Sequence, residues 1–398
     1  MKSTSIYLHI PFCQHRCAYC DFNTYAGKES LIPEYVEALC HEIGTVAELS
    51  PDPIVVHTIF FGGGTPSLLS SNDIAKILDT LRTCFQVLPH VEVTLEANPG
   101  TVTPGYLEDL YRVGVNRISL GMQSVHPEEL YQLERQHDFF DVIQAVKWAN
   151  KAGVKNINLD LMYGLPGQTI DRWQATLKYA VSLSPTHLSL YSLTLEHKTP
   201  MYKWVNRGLM SQPDADIAAE MYEWADEFLE EQGYYQYEIS NWARLDQDKN
   251  LMACQHNLQY WHLEPYLGLG AGAHGFIRRV HTRNVLSPSM YIQRLQNRHG
   301  AIRADRFPRT PSTVGMDTIQ VDEEMKEVML MGLRLTQEGV SDLRFEERFG
   351  ISLREAYGPI IDRLEQMNLL EWLGTEGGRL RLTRRGRLLG NLVFMEFV

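Results

Sequence analysis

The chain has 398 residues, enough for two or three domains and a sizeable buried core. Its 49 acidic against 37 basic residues leave a formal charge of -12, which argues against general attraction to nucleic acid phosphates or to an anionic lipid surface. No apolar run approaches the ~20 residues of a membrane span. In the opening MKSTSIYLHIPFC the apolar stretch is broken by His9 and Pro11, so no signal peptide is expected and the cytoplasm is the expected compartment.

From the start to about residue 235, short strands alternate with helical stretches. Strands are predicted at Ile6 to Ile10, Thr58 to Phe61, Val91 to Glu96, Arg117 to Gly121, Asn156 to Leu161 and His187 to Tyr191. Helices are predicted over about 33 to 49, 72 to 87, 104 to 113, 138 to 152, 170 to 183 and 213 to 232, several opened by first-turn signals such as Ser71-Asn72-Asp73 and Thr103-Pro104. Repeated βα units imply a parallel sheet with right-handed crossovers, and six of them predict an α/β fold of the partial (β/α)6 TIM-like barrel type. Side chains alternate between strand faces. Arg117, Ser119 and Gly121 oppose Ile118 and Leu120; Asn156, Asn158 and Asp160 oppose Ile157, Leu159 and Leu161; His187, Ser189 and Tyr191 oppose Leu188 and Leu190. The apolar face must meet the helices, so a wet interior for a polar ligand is expected.

Directly after the first strand, Cys13, Cys17 and Cys20 fall in a C-x3-C-x2-C spacing. Thiolates so close need a positive partner, and three of them without a nearby fourth suit a 4Fe-4S cluster with one iron left open. The alternatives are a structural zinc site completed by His9 or His15, or three unrelated buried thiols. After the second strand comes Gly62-Gly63-Gly64-Thr65-Pro66, where glycine lets backbone carbonyls come close to an ammonium group and Thr65 adds a hydroxyl. Glu96, Gln123 and Asp160 fall at or near strand ends and suit ligand hydroxyls, and Arg135 suits a carboxylate. Cys40, Cys84 and Cys254 are scattered singly and read as reduced small hydrophobes.

The string YLHIPFCQHRCAYCDF, with an aromatic before its last cysteine, resembles the radical S-adenosylmethionine (SAM) enzymes. More narrowly it is similar to the heme chaperone branch of the oxygen-independent coproporphyrinogen III oxidase family. The resemblance implies a 4Fe-4S cluster on Cys13, Cys17 and Cys20, with SAM bound through its amino and carboxyl groups to the open iron and cleaved by an electron from the cluster. It implies that Gly63, Gly64 and Thr65 receive the methionine amino group, and that Glu96, Gln123, Arg135 and Asp160 are SAM contacts. Tyr7 is placed near the SAM carboxylate, with His9 beside it flanking the cluster. Heme, heme-acceptor proteins and an electron donor for the cluster are the implied partners, with no nucleic acid.

Residues 1-235 are thus expected to be the barrel, 236-319 a connecting region and 320-398 a mostly helical, winged-helix-like end. The connecting region contains H-N-x-x-Y-W at His256, Asn257, Tyr260 and Trp261, which resembles the chaperone branch and makes His256 the candidate heme contact, with Cys254 a weaker one. Gly270-Ala271-Gly272-Ala273-His274-Gly275 formally fits a dinucleotide fingerprint but lacks the strand, helix and acidic residue that motif needs, so a flexible wall of the cofactor cavity is expected. The oxidases carry a further cysteine two positions after the triplet, where Phe22 stands here; this and the absence of their N-terminal extension favour the chaperone over a decarboxylating oxidase. At the C-terminus three helices and a hairpin around Gly374 to Gly378 suggest a winged helix, yet 11 basic against 14 acidic residues over 320-398 do not suit a DNA reader, so a zinc-containing regulator is the least favoured reading.

Overall fold

The structure, a computed structural model, describes residues 3–296, 307–374 and 378–398. It falls into two compact units, Met1–Phe228 with Pro265–Asp317, and Leu229–Glu264 with Thr318–Val398. The stretch 236-319 therefore contributes to both units.

Six parallel strands organise the first unit: β1 (Thr4–Ile10), β2 (Val55–Gly63), β3 (Gln86–Ala97), β4 (Arg117–Gln123), β5 (Asn156–Tyr163) and β6 (His187–Ser192), neighbours in sequence being neighbours in the sheet. Each is followed by a helix: α1 (Ile32–Leu49), α2 (Ser71–Cys84), α3 (Pro104–Val113), α4 (Phe139–Ala152), α5 (Ile170–Ser182) and α6 (Ala215–Glu231). The helix starts are set locally. Ser70 and Asp138 close capping boxes with Asp73 and Asp141, Thr103 caps α3 ahead of Pro104, and Gly114 and Gly153 end α3 and α4 in the left-handed region. The expected α/β architecture holds.

The sheet does not end at β1. A seventh parallel strand, Tyr266–Leu269, pairs with the other edge of β1, and His274–Ile277, Val280–Asn284 and Thr313–Thr318 continue outward from it. The six-strand reading missed this extension because YLGL is only four residues long and sits in a glycine-rich stretch, where no periodicity marks a strand.

Alternation along the strands is as the sequence implied: Ile118, Leu120, Ile157, Leu159, Leu188 and Leu190 are all buried against the helices. The opposite face carries a polar row, since Glu96 is in register with Ser119, Ser119 with Asn158, and Asn158 with His187. The expectation of a wholly wet interior needs correcting. Asn158, His187 and Ser189 are buried and bonded to one another, so only the upper layer of the row faces open space.

The second unit pairs Tyr234–Glu238 with Asn241–Arg244, carries the helix Gln255–Trp261, and ends in the helices Val321–Gly332, Asp342–Phe349 and Leu353–Gln366 with a small sheet of Val340–Ser341, Arg379–Leu382 and Leu370–Leu373. Its core is built on Met329, Leu333, Phe345, Ile361, Leu364 and Leu380. This is the winged-helix-like arrangement expected of the C-terminus; residues 375–377 of the predicted hairpin lie outside the described residues. Two arginines of its short basic cluster are held by acids, Arg381 by Glu371 and Arg384 by Glu230. Among the described residues no helix is long and apolar enough to cross a membrane.

Candidate cofactor site

The carboxyl ends of β1 to β6 surround a cavity of about 360 Å³, within the range of small-molecule sites. Its wall includes Cys13, Cys17 and Cys20, then Gly63, Gly64, Thr65, Glu96, Gln123, Arg135 and Asp160. These ten residues come from five separate strand ends and their loops, which only the barrel arrangement brings together.

The cysteine loop is pinned from below. Ala18 is fully buried in a small core with Leu133, Met162, Leu165 and Met201, and its backbone is bonded on both sides, donating to Leu133 O and accepting from Met201 N. Each cysteine sulfur has its own polar neighbour: Thr65 Oγ1 donates to Cys13 Sγ at 3.6 Å, Arg135 Nη1 to Cys17 Sγ at 3.5 Å, and Cys20 Sγ lies 4.0 Å from Thr24 Oγ1. Burial, and then the neighbouring cysteines, push the Cys13 thiol up, while Thr65 and Thr24 pull it back. Burial likewise raises Cys20. At Cys13 and Cys20 the neighbouring hydrogen bonds therefore do not offset burial, and a cationic centre would favour the thiolate.

The donor set, three cysteine sulfurs lining one cavity, fits a 4Fe-4S cluster with one iron left open. Cys13, Cys17 and Cys20 all line that cavity, with no disulfide between them. Both histidines offered for zinc have other partners. His9 Nε2 donates to Asn23 O at 3.0 Å, and His15 lies 3.5 Å from Glu134.

The glycine run serves packing as much as ligand approach. A Cβ on Gly62 would lie 2.9 Å from the Tyr7 ring, on Gly63 (φ +112°) 2.5 Å from the His9 ring, and on Gly64 2.5 Å from Phe12 O. The three glycines let β2 lie flat against β1 and the cysteine loop. Tyr7 is accordingly behind the cavity wall, its ring on Gly62 and its hydroxyl 3.0 Å from His9 Nδ1. Since Nε2 of His9 donates to a carbonyl, Nδ1 accepts from Tyr7.

Across the cavity, Glu96 Oε2 accepts from Gly63 N at 3.1 Å. Burial first, and then the Asp160 charge, push the Glu96 carboxyl up to about 8, with Gly63 N–H and Arg117 opposing. Asp160 is also raised by burial, against hydrogen bonds from Ser119 at 2.8 Å and Asn158 at 2.8 Å. These two half-buried acids, on strands either side of β4, both line the cavity and are suited to accept from ligand hydroxyls or to meet a cation.

Arg135 follows the short helix Pro127–Gln132, whose turn is fixed by buried Glu129 accepting from Ser124 Oγ at 2.5 Å and Gln168 Nε2 at 3.2 Å. Its Nη2 donates to Gly121 O at 2.7 Å, in space that a Cβ on Gly121 would fill. Its Nε is buried with no hydrogen-bond partner among the described residues. A donor so orphaned, on the wall of a cavity, is suited to a carboxylate. Gln123 closes the same side from a left-handed backbone (φ +62°) at the end of β4.

His256 is in the other unit. It is 1% exposed, with Nε2 2.9 Å from Tyr260 Oη and the two rings edge to face. The GAGAHG stretch is no flexible cavity wall, which corrects that expectation: its backbone is bonded to the buried side chains of Glu42 and Tyr35.

Residues 7–180 match the Radical SAM superfamily and 319–389 the HemN C-terminal domain. The chain is 38% identical over 397 residues to the heme chaperone HemW of Bacillus subtilis, covering 99% of each, and 36% identical over 391 residues to that of Mycobacterium tuberculosis, covering 98% of this chain and 93% of the other. The chain belongs to the HemW family. The coproporphyrinogen III oxidase HemN of Escherichia coli, a radical SAM enzyme, superposes with a TM-score of 0.82 over 99% of this chain and 90% of its own. At 22% identity that likeness is one of fold. In this member of the HemW family, sequence reasoning missed Thr24, Asn98 and Asn158. Thr24 meets Cys20, Asn98 donates to Thr65 Oγ1 at 3.2 Å, and Asn158 bonds Asp160; the only available signal was the polar alternation of β5, which placed Asn158 on the inner face.

Proposed function

We propose that the protein is a heme chaperone built on a radical SAM barrel. In this reading Cys13, Cys17 and Cys20 hold a 4Fe-4S cluster, SAM completes it, and heme is taken up and passed to acceptor proteins in the cytoplasm, with a separate electron donor serving the cluster. One observation carries it: a single cavity gathers the three cysteines with Thr65, Glu96, Asp160 and the orphaned donor of Arg135. Full-length likeness to proteins named as heme chaperones supports the heme half.

When bound, the cluster supplies the electron that cleaves SAM. The chain's own part is to hold and to exclude water. Gly63 and Thr65 suit the amino end of the ligand, Arg135 its carboxylate, and Glu96, Gln123 and Asp160 its hydroxyls, while Tyr19, Met162 and Leu193 line the cavity with apolar surface. Phe22, 64% exposed on the same wall, offers a ring where the oxidases are expected to have a thiol, which favours the chaperone over the decarboxylating oxidase.

For heme, His256 is the proposed contact. Its burial and its bond to Tyr260 mean that the ring must turn away from Tyr260 before iron can reach Nε2. The test is heme titration of the purified, anaerobically reconstituted protein. A Soret band saturating at a fixed ratio of heme to chain is expected, and none at all would overturn the heme half. Incubation with coproporphyrinogen, SAM and a reductant is expected to give no vinyl product.

A further inference from the structure

We infer that Glu42, acting through the glycine turn at 270–272 and Asn23, is a positioning residue for the cysteine loop; the inference rests on the cluster reading above. Glu42 comes from the middle of α1 and is fully buried. Its Oε2 accepts from Gly270 N at 2.8 Å and Tyr291 Oη at 2.7 Å; its Oε1 accepts from Asn284 Nδ2 at 3.0 Å, Thr310 Oγ1 at 2.8 Å and Ser312 Oγ. A carboxylate, which only accepts, is the side chain that can receive all five. Every donor belongs to the sheet extension 265–317, so this one side chain fastens the extension to α1.

What it fastens reaches the cysteines. Ala271 N donates to Tyr35 Oη, which in turn donates to His9 O at the end of β1, both at 2.7 Å. Asn23, three residues beyond Cys20, gives its amide to Ala271 O at 3.1 Å and Leu286 O at 3.0 Å. Its own carbonyl accepts from His9 Nε2. The turn is made for this contact: Gly270 (φ +102°) and Gly272 (φ +81°) are left-handed, and a Cβ on Gly272 would fall 2.2 Å from Asn23 Nδ2. The far end of the cysteine loop therefore hangs on the extension, and the extension on Glu42. Neither residue touches the cluster cavity, so their effect on a cluster would pass through loop position alone.

Two substitutions remove the links without changing volume. Glu42→Gln leaves an amide N–H₂ facing either Gly270 N–H, which cannot accept, or the Asn284 amide, which could accept only by flipping and giving up its bond to Gly270 O. Asn23→Asp replaces the donor to two carbonyls with an acceptor. Leu177→Ala, in the buried face of α5, is the control that lowers stability on another element. The three variants and the native chain are reconstituted anaerobically. Iron per folded chain, the electron paramagnetic resonance spectrum of the reduced cluster, and the rate of cluster loss to a chelator are then measured.

Both link variants are expected to lose the cluster about 10-fold faster than native, with an altered spectrum, whereas Leu177→Ala keeps the native spectrum and rate. Native rates and spectra in both link variants overturn the inference while leaving the cluster reading intact. So does a loss in Leu177→Ala equal to theirs. A native chain that takes up no cluster overturns the cluster reading, and this inference falls with it.

Discussion

Asn158 and Asp160, two residues apart on β5, are joined by a 2.8 Å hydrogen bond from Nδ2 to Oδ1, and the same Nδ2 donates to Ser119 at 2.7 Å. On its other side Asn158 Oδ1 accepts from His187 Nδ1 at 2.7 Å and Ser189 Oγ at 3.1 Å. Together with Ser119, which donates to Asp160 Oδ2 at 2.8 Å, this amide orients the acid that faces the cavity. Asn158→Ala would leave His187 and Asp160 each short of a partner in a buried layer. A stability loss of roughly 1–3 kcal/mol in urea unfolding is expected, with weaker SAM binding by calorimetry. Unchanged affinity would show that Asp160 needs no such support.

Glu96 predicts a pH dependence whose sign is fixed. Its folded value is raised from 4.5 to about 8, so between those values the folded chain holds a proton that the unfolded chain has released. The stability of the ligand-free protein should therefore fall as pH rises from about 4.5 to about 8 and level off above. His187, held well below its ordinary value by burial, acts in the opposite sense below about 6.5. Comparing native with Glu96→Gln isolates the Glu96 part: the difference in unfolding free energy between the two should change across this window, and a constant difference would contradict it.

Gly64→Ala tests the packing of the glycine run. Its Cβ would meet Phe12 O at 2.5 Å, Ile10 O at 2.9 Å and Cys13 Sγ at 3.1 Å, and two of these are backbone atoms that cannot give way alone. Iron content after reconstitution should fall well below that of the native protein. Native iron content would mean that the first cysteine tolerates the shift.

His256→Ala should weaken heme binding while leaving cluster content and SAM affinity unchanged, because His256 is not among the residues lining the cluster cavity. The readout is the Soret titration. A curve identical to native would remove His256 as the heme contact.

Much of the first unit was legible because its signals are local. Ile118 and Leu120 against Arg117 and Ser119 read as a strand with one apolar face, and Asp138 with Asp141 reads as a helix start. The cysteines, Thr65 and Arg135 were legible from spacing and from a resemblance covering whole motifs. Glu42 was not, because in ALCHEIGTV it stands among ordinary helix formers, and its partners lie 228 to 270 residues away. Tyr266–Leu269 was not, because its strand identity comes from pairing with β1. The fold of GAGAHG was hidden for a like reason: its glycines answer to Asn23 and His9, which no local pattern reveals.

In the reading proposed here, Cys13, Cys17 and Cys20 carry a 4Fe-4S cluster with one iron open toward Glu96, Asp160 and Arg135. The most direct measurement is iron analysis with electron paramagnetic resonance of the reduced, reconstituted protein, with and without SAM. About four irons per chain and a spectrum that changes on adding SAM are predicted. Zinc in place of iron, or a cluster spectrum indifferent to SAM, would contradict it.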